Sequence, residues 1–154
     1  MRRSTLVLCL VALVACPSCK QEDRMDVPDG FVEVGREARG DYETRAVSAD
    51  GVVVALRVEP NPENGAPEFW ADAVRNELTQ ARGYALAKEE EVKSASGLDG
   101  RLMEFTADAE GVKAAYLVAV FVKDDDVLVA EAGGKADAVA ARRDALRTAL
   151  LSVR

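Results

Sequence analysis

The chain has 154 residues, no histidine, and 27 acidic against 20 basic side chains, for a formal net charge of −7. An acidic surface repels phosphate backbones, which excludes nucleic acid as a partner. The missing imidazole removes Ser-His and Cys-His nucleophile pairs and the usual ligand of catalytic zinc, and the length suits one domain with a real hydrophobic core.

Residues 1–15 read as a bacterial lipoprotein export signal. Arg2 and Arg3 form a basic start, residues 6–14 are apolar, and Leu13-Val14-Ala15-Cys16 places a small residue before a cysteine. Cys16 is then the lipidated first residue of the mature chain. A retained membrane helix over residues 5–16 is the first competing reading, but this stretch is about half of the ~20 residues a span needs. Cleavage before Cys19 is the second, and it puts Cys16 and Pro17 where small or branched apolar residues are wanted. Two or three acyl chains on Cys16 hold a domain at a membrane surface where a single chain anchors only marginally. The predicted location is the bacterial cell envelope, with the domain facing the periplasm from the inner or outer membrane. Of the three cysteines, Cys9 lies in the signal and Cys16 carries the lipid, so Cys19 has no partner for an internal disulfide.

Residues 16–29 are polar and charged and read as a lipidated tether, with a single domain over residues 30–154. Phe31-Val32-Glu33-Val34 is a short strand candidate. Residues 42–48 and 52–59 form two more, joined through Asp50-Gly51, a strong hairpin signal. The Pro60-Asn61-Pro62 stretch must be loop. Residues 67–82 carry helix punctuation at both ends, Pro67 in the first turn and Gly83 as the stop. An apolar stripe is expected at Phe69, Trp70, Ala73, Val74, Leu78 and Ala81, with Trp70 as a core anchor.

After Gly83 the period changes to two. Residues 84–93, 101–107, 112–122 and 127–132 read as four strands separated by short turns, an antiparallel meander. Both alternating faces of residues 114–122 are apolar, which places that strand inside the sheet with both sides covered. Gly133-Gly134 is expected to end the sheet pattern. Residues 135–153 read as the last helix, with Val139, Leu146, Leu150 and Val153 on its stripe and Arg142, Arg143 and Arg147 pointing mainly away. The predicted class is α+β: a central antiparallel sheet of about six to seven strands sandwiched by two helices.

This element order resembles the PsbP/Mog1-like superfamily, and within it small bacterial lipoproteins related to DcrB. The residues that carry the likeness are Phe69-Trp70 in the middle helix, Gly83-Tyr84 at its exit and Gly97-Leu98-Asp99-Gly100 before an alternating strand. It spans about residues 28–153. The resemblance implies an α/β/α sandwich that acts as an accessory or interaction module; members assist photosystem assembly, regulate small GTPases or chaperone secreted effectors. It carries over no catalytic residue, because the superfamily has no shared catalytic motif.

The remaining candidates are carboxylates. Glu89-Glu90-Glu91 on a strand cannot converge, since Glu90 faces opposite to its neighbours, and reads as a solvated face. Asp124-Asp125-Asp126 offers oxygen ligands but lacks the glycine and distal glutamate of a calcium loop, and a tight turn explains it. Arg57 and Glu59 share a face with Val53 and Ala55 and form a surface pair. Glu131 reads as a partly buried structural carboxylate, without a second group placed to exchange its proton. The expectation is therefore a chain without catalytic residues, metal or cofactor, held to a membrane through Cys16 and acting on a protein partner. A periplasmic immunity or inhibitor lipoprotein, or a carrier of a small apolar ligand, are the alternatives.

Overall fold

A computed structural model describes residues 24–154; the signal sequence, Cys16 and Cys19 lie outside the described residues. Seven strands form one antiparallel sheet: β1 (Phe31–Glu33), β2 (Tyr42–Ser48), β3 (Val53–Pro60), β4 (Ala85–Lys93), β5 (Asp99–Ala109), β6 (Val112–Lys123) and β7 (Asp126–Lys135). Their spatial order is β1-β2-β3-β7-β6-β5-β4, so the meander β4 to β7 folds back until its last strand joins the N-terminal hairpin. Helix α1 (Arg36–Arg39) links β1 to β2, α2 (Pro67–Asn76) links β3 to β4, and α3 (Ala136–Ala141) and α4 (Arg143–Leu151) close the chain. The α+β class, the strand count and the two-sided helix cover match the expectation.

Strand alternation divides the core in two. Ala46, Val54, Leu56, Leu117, Ala119, Phe121, Leu128 and Ala130 face α3 and α4, where Val139, Leu146, Leu150 and Val153 meet them as the stripe requires. Met103, Phe105, Val118, Val120, Val127 and Val129 face α2. The two apolar faces of β6 thus supply both halves, as its sequence demands. Among the described residues, both clusters draw on residues 25–153 and fill the two faces of the sheet.

Four features depart from the sequence reading. First, the strand expected to stop before Gly133-Gly134 runs on to Lys135. Gly133 lies opposite Val53 on one side and Tyr116 on the other, and a side chain there would collide with a neighbour: its Cβ would stand 2.6 Å from Tyr116 Cδ2. The glycines permit close packing inside the strand rather than breaking it.

Second, the middle helix changes pitch. α2 ends at Asn76 and a π-helical turn follows over Glu77–Ala81. The buried line becomes Ala71 and Leu78 with Trp70 and Val74 beside it, while Ala73 and Ala81 are exposed and Phe69 is 60% exposed, its ring edge-on to Trp70. Third, the last helix is interrupted at Arg142, whose φ of −117° and ψ of 10° are not helical. The three arginines off the stripe are ion-paired: Arg142 with Asp50 of the β2–β3 turn at 2.6 Å, Arg143 with Glu104 of β5, and Arg147 with Glu90 of β4.

Fourth, the residues just before the expected domain boundary are packed. Met25 is only 5% exposed and joins the α4-side core. The Arg24 and Arg154 backbones exchange hydrogen bonds of 3.1 and 3.2 Å, and the Asp26 N–H donates to Ser152 Oγ at 2.8 Å. The folded unit therefore includes Arg24–Gly30. Met25→Ala is expected to lower the unfolding free energy by about 2–5 kcal/mol. A chain starting at Val27 should lose a similar amount relative to one starting at Arg24; unchanged urea midpoints for both would show that this strap contributes nothing.

Candidate functional site

Helix α2 packs on β5 and β6 and leaves the same face of β7, β3 and β2 open along its flank. The strand period places Arg57 and Glu59 of β3, Val127, Val129 and Glu131 of β7, and Tyr116 and Val118 of β6 on this open face. Tyr42 reaches it by another device. Tyr42 pairs with Arg57 but Thr44 pairs with Leu56, so a bulge at Glu43 reverses the alternation of β2 and turns Tyr42 to the side of Arg45 and Arg57.

The result is a groove of two adjoining compartments that share Tyr42, Tyr116 and Glu131. The first, of about 300 Å³, lies under α2 and is floored by Val118, Val127 and Val129, with Trp70, Val74 and Leu78 as its wall. The second, of about 380 Å³, extends over Ala55, Val53 and Gly133 and is bordered by Tyr84 and Arg45. All three tyrosines of the chain and its one tryptophan line this groove. Trp70 is held by a hydrogen bond of 3.0 Å from its Nε1 to Asn61 Oδ1. Asn61, 1% exposed, also takes the Gly65 N–H at 2.8 Å and donates back to the Gly65 carbonyl, so the β3–α2 loop locks the indole in place.

The polar end centres on Glu131. The Tyr116 hydroxyl donates to Glu131 Oε2 at 2.6 Å, and the Tyr42 phenol lines the same compartments, under the influence of the same carboxylate. Burial, then the negative charge of Glu131 and the hydrogen bond to it, push the Tyr116 phenol far above its ordinary value. The same causes in the same order raise Tyr42, against the opposing charges of Arg57 and Arg45. Both phenols therefore stay protonated at neutral pH and act as donors, not as nucleophiles or bases. Arg57 Nε stands 3.3 Å from Glu59 Oε1. That is ion-pair distance without hydrogen-bonding geometry, and the buried Nε has no hydrogen-bond acceptor. Arg82 is paired with Glu77 at 3.1 Å on the π-helical turn, and the Arg45 guanidinium stacks over the Tyr42 ring.

Of the residues singled out in the sequence, Arg57, Glu59, Glu131 and Trp70 come together here. Trp70 is only partly buried and so is less a core anchor than a wall of the groove. Glu131 is a bonded structural carboxylate, as expected, in mid-sheet between β3 and β6. The other two acidic runs lie elsewhere. Glu89 and Glu91 face one side and Glu90 the other, so they do not converge; yet they are paired rather than merely solvated, Glu89 with Arg75 at 2.8 Å, Glu91 with Arg101 and Glu90 with Arg147. Asp124 and Asp125 make the β6–β7 turn, where the Asp125 carbonyl accepts the Asn61 N–H at 2.7 Å. Tyr42 and Tyr116 had no signal of their own. A bulge and the β6–β7 register place them.

No protein-family model and no curated protein matches the chain. Solved structures do, at low identity. The solution structure of cyanobacterial PsbP (CyanoP) from Synechocystis aligns over 92% of this chain and 98% of its own, with a TM-score of 0.61 and 13% identity. LpqN of Mycobacterium tuberculosis, described as involved in cell envelope biogenesis, covers 85% of this chain and 81% of its own, with a TM-score of 0.66 and 14% identity. PA94 of Pseudomonas aeruginosa, a protein of unknown function, covers 89% and 86%, with a TM-score of 0.51 and 14% identity. The chain has the PsbP-like fold, as the sequence resemblance implied.

Two outcomes test the site. Gly133→Ala forces the Tyr116 ring off β7 and should cost about 1–3 kcal/mol in a denaturant melt; a neutral result would show that the ring moves freely. The second concerns alkaline pH. A free phenol titrates near ~10, and the folded Tyr116 value is raised above it. The native state then holds more protons than the unfolded state above that pH, so stability is complete below pH ~10 and falls as pH rises further, by up to ~1.4 kcal/mol per unit for one group. Tyr116→Phe should flatten that fall; an unchanged alkaline slope would place the tyrosine in water.

Proposed function

We propose that the chain is a lipid-anchored, non-catalytic protein of the bacterial cell envelope, acylated on Cys16, whose domain faces the periplasm and works as an accessory or interaction module through its open sheet face. The observation that carries this reading is the preformed groove beside α2, where Arg57 pairs with Glu59, Arg82 with Glu77, and Glu131 accepts from the Tyr116 phenol. Phenols held protonated and a carboxylate already bonded favour binding over proton transfer. The fold likeness to LpqN, itself described as involved in cell envelope biogenesis, supports the location. No helix among the described residues is long and apolar enough to cross a membrane, so attachment in this reading falls to the Arg2-Arg3 signal and Cys16.

Packing from Arg24 onward limits how far the domain stands from its anchor. Fully extended, the chain between Cys16 and Arg24 reaches at most ~30 Å, so the domain works close to the lipid surface. A groove of this size also favours the carrier alternative in which a small ligand, rather than a protein, fills it. Cys16→Ser should abolish fatty-acid labelling and leave the unprocessed chain. Continued labelling of that variant, or loss of label only with Cys19→Ser, would remove Cys16 from the assignment.

A further inference from the structure

We propose that the groove binds an uncharged amphiphile: an apolar chain that lies under α2 on Val118, Val127 and Val129, with an ester, amide or hydroxyl oxygen that accepts from Arg57 Nε. This goes beyond the envelope reading and does not depend on acylation of Cys16.

Size and surface come first. Ligand pockets run from about 300 to 1,000 Å³, mostly apolar with a few placed polar groups, and the compartment of about 300 Å³ has a valine floor and an indole wall. Charge comes next. Glu59 offsets Arg57, Glu77 offsets Arg82, and Glu131 lies in the compartment bordered by Arg45. With both of its arginines paired, the compartment under α2 gives an anionic head no uncompensated partner, and a buried charge without one is strongly disfavoured. Hydrogen-bond accounting then fixes the head. The Tyr116 phenol proton is committed to Glu131, whereas Arg57 Nε is buried with no acceptor. A buried donor left unsatisfied is destabilising, and a ligand oxygen at that point removes the penalty. An ammonium head offers no lone pair for it, and a carboxylate head would stand against Glu131. Finally, two backbone irregularities meet here, the β2 bulge that turns Tyr42 inward and the π-helical turn that carries Glu77 and Leu78 to the wall. Both kinds of distortion concentrate at functional sites.

Trp70, the one tryptophan of the chain, makes the inference measurable. Residues 24–154, which hold both core clusters found among the described residues, are titrated with monolauroylglycerol, laurate or dodecylammonium, each below its aggregation concentration, while indole emission is followed. The expected result is a saturable blue shift with monolauroylglycerol and binding of the two charged probes weaker by about tenfold or more. Ala73→Phe, which fills the groove from an exposed helix position, should abolish the shift with the circular dichroism spectrum unchanged. Arg57→Leu should weaken the glycerol ester by about tenfold, the loss of one hydrogen bond to a charged donor, and leave the charged probes as they were. The proposal is overturned by the absence of any saturable change, by equal affinity for the three heads, or by titrations that neither variant alters.

Discussion

The pairing of β3 with β7 is the contact on which the rest of this molecule depends. One half of the sheet is the N-terminal hairpin with β1; the other is the meander β4 to β7. Among the described residues the halves are joined through this ladder, from Val53 opposite Gly133 to Pro60 opposite Asp126. It closes after the chain has passed through α2 and three further strands, so its partners are far apart in sequence and its loop entropy is met late. The groove straddles the same seam. Tyr42 and Arg57 come from one half, Tyr116 and Glu131 from the other, so the polar cluster exists only when both halves are joined in register.

That register also explains the asymmetry between the faces. On the α4 side, two helices and the strap at Met25 cover the sheet from β2 to β6. On the α2 side a single helix faces a sheet seven strands wide and sits over β5 and β6. Polar and aromatic residues occur where its cover ends. A valine or leucine at the position of Glu131 would leave a bare apolar strip in mid-sheet, a surface that associates nonspecifically. The carboxylate with its two phenols keeps that strip wet at one end and apolar at the other.

Most of the architecture was legible because strand alternation and helix punctuation are local. The apolar double face of β6, the Asp50-Gly51 hairpin and the stripe at Val139, Leu146, Leu150 and Val153 each follow from spacing within a dozen residues or so. What escaped is tertiary. A Gly-Gly pair ordinarily ends a strand, and only the Tyr116 ring, brought opposite by the β6–β7 register, gives Gly133 a reason to remain in one. The strap offers only Met25 and Val27 among charged neighbours, too short an apolar pattern to signal burial. The pitch change after Asn76 and the interruption at Arg142 occur without proline or glycine at the site, so no local rule marks them. The candidate site was half visible. Arg57, Glu59 and Glu131 stand out as polar residues on apolar faces, but parity puts Tyr42 on the α4-side face of Thr44 and Ala46 until the bulge at Glu43 turns it around.

The bulge is also the clearest physical argument that the groove is more than a gap in packing. Bulges twist and re-aim strands, and here the extra residue carries one side chain, Tyr42, from the α4 side to the α2 side. Had β2 kept a regular pair with β3, Tyr42 would lie on the face of Thr44 and Ala46, away from Glu131. Nothing in the core requires the reversal, since Ala46 and Thr44 are buried on the far face. The reversal does bring an aromatic ring and a second hydrogen-bond donor to a surface that already holds Trp70, Tyr84 and Tyr116. Aromatic side chains offer large, stiff contact area with a polar tip. Gathering all three tyrosines and the tryptophan around one half-open groove concentrates the recognition capacity of the chain on the seam that its fold must close in any case.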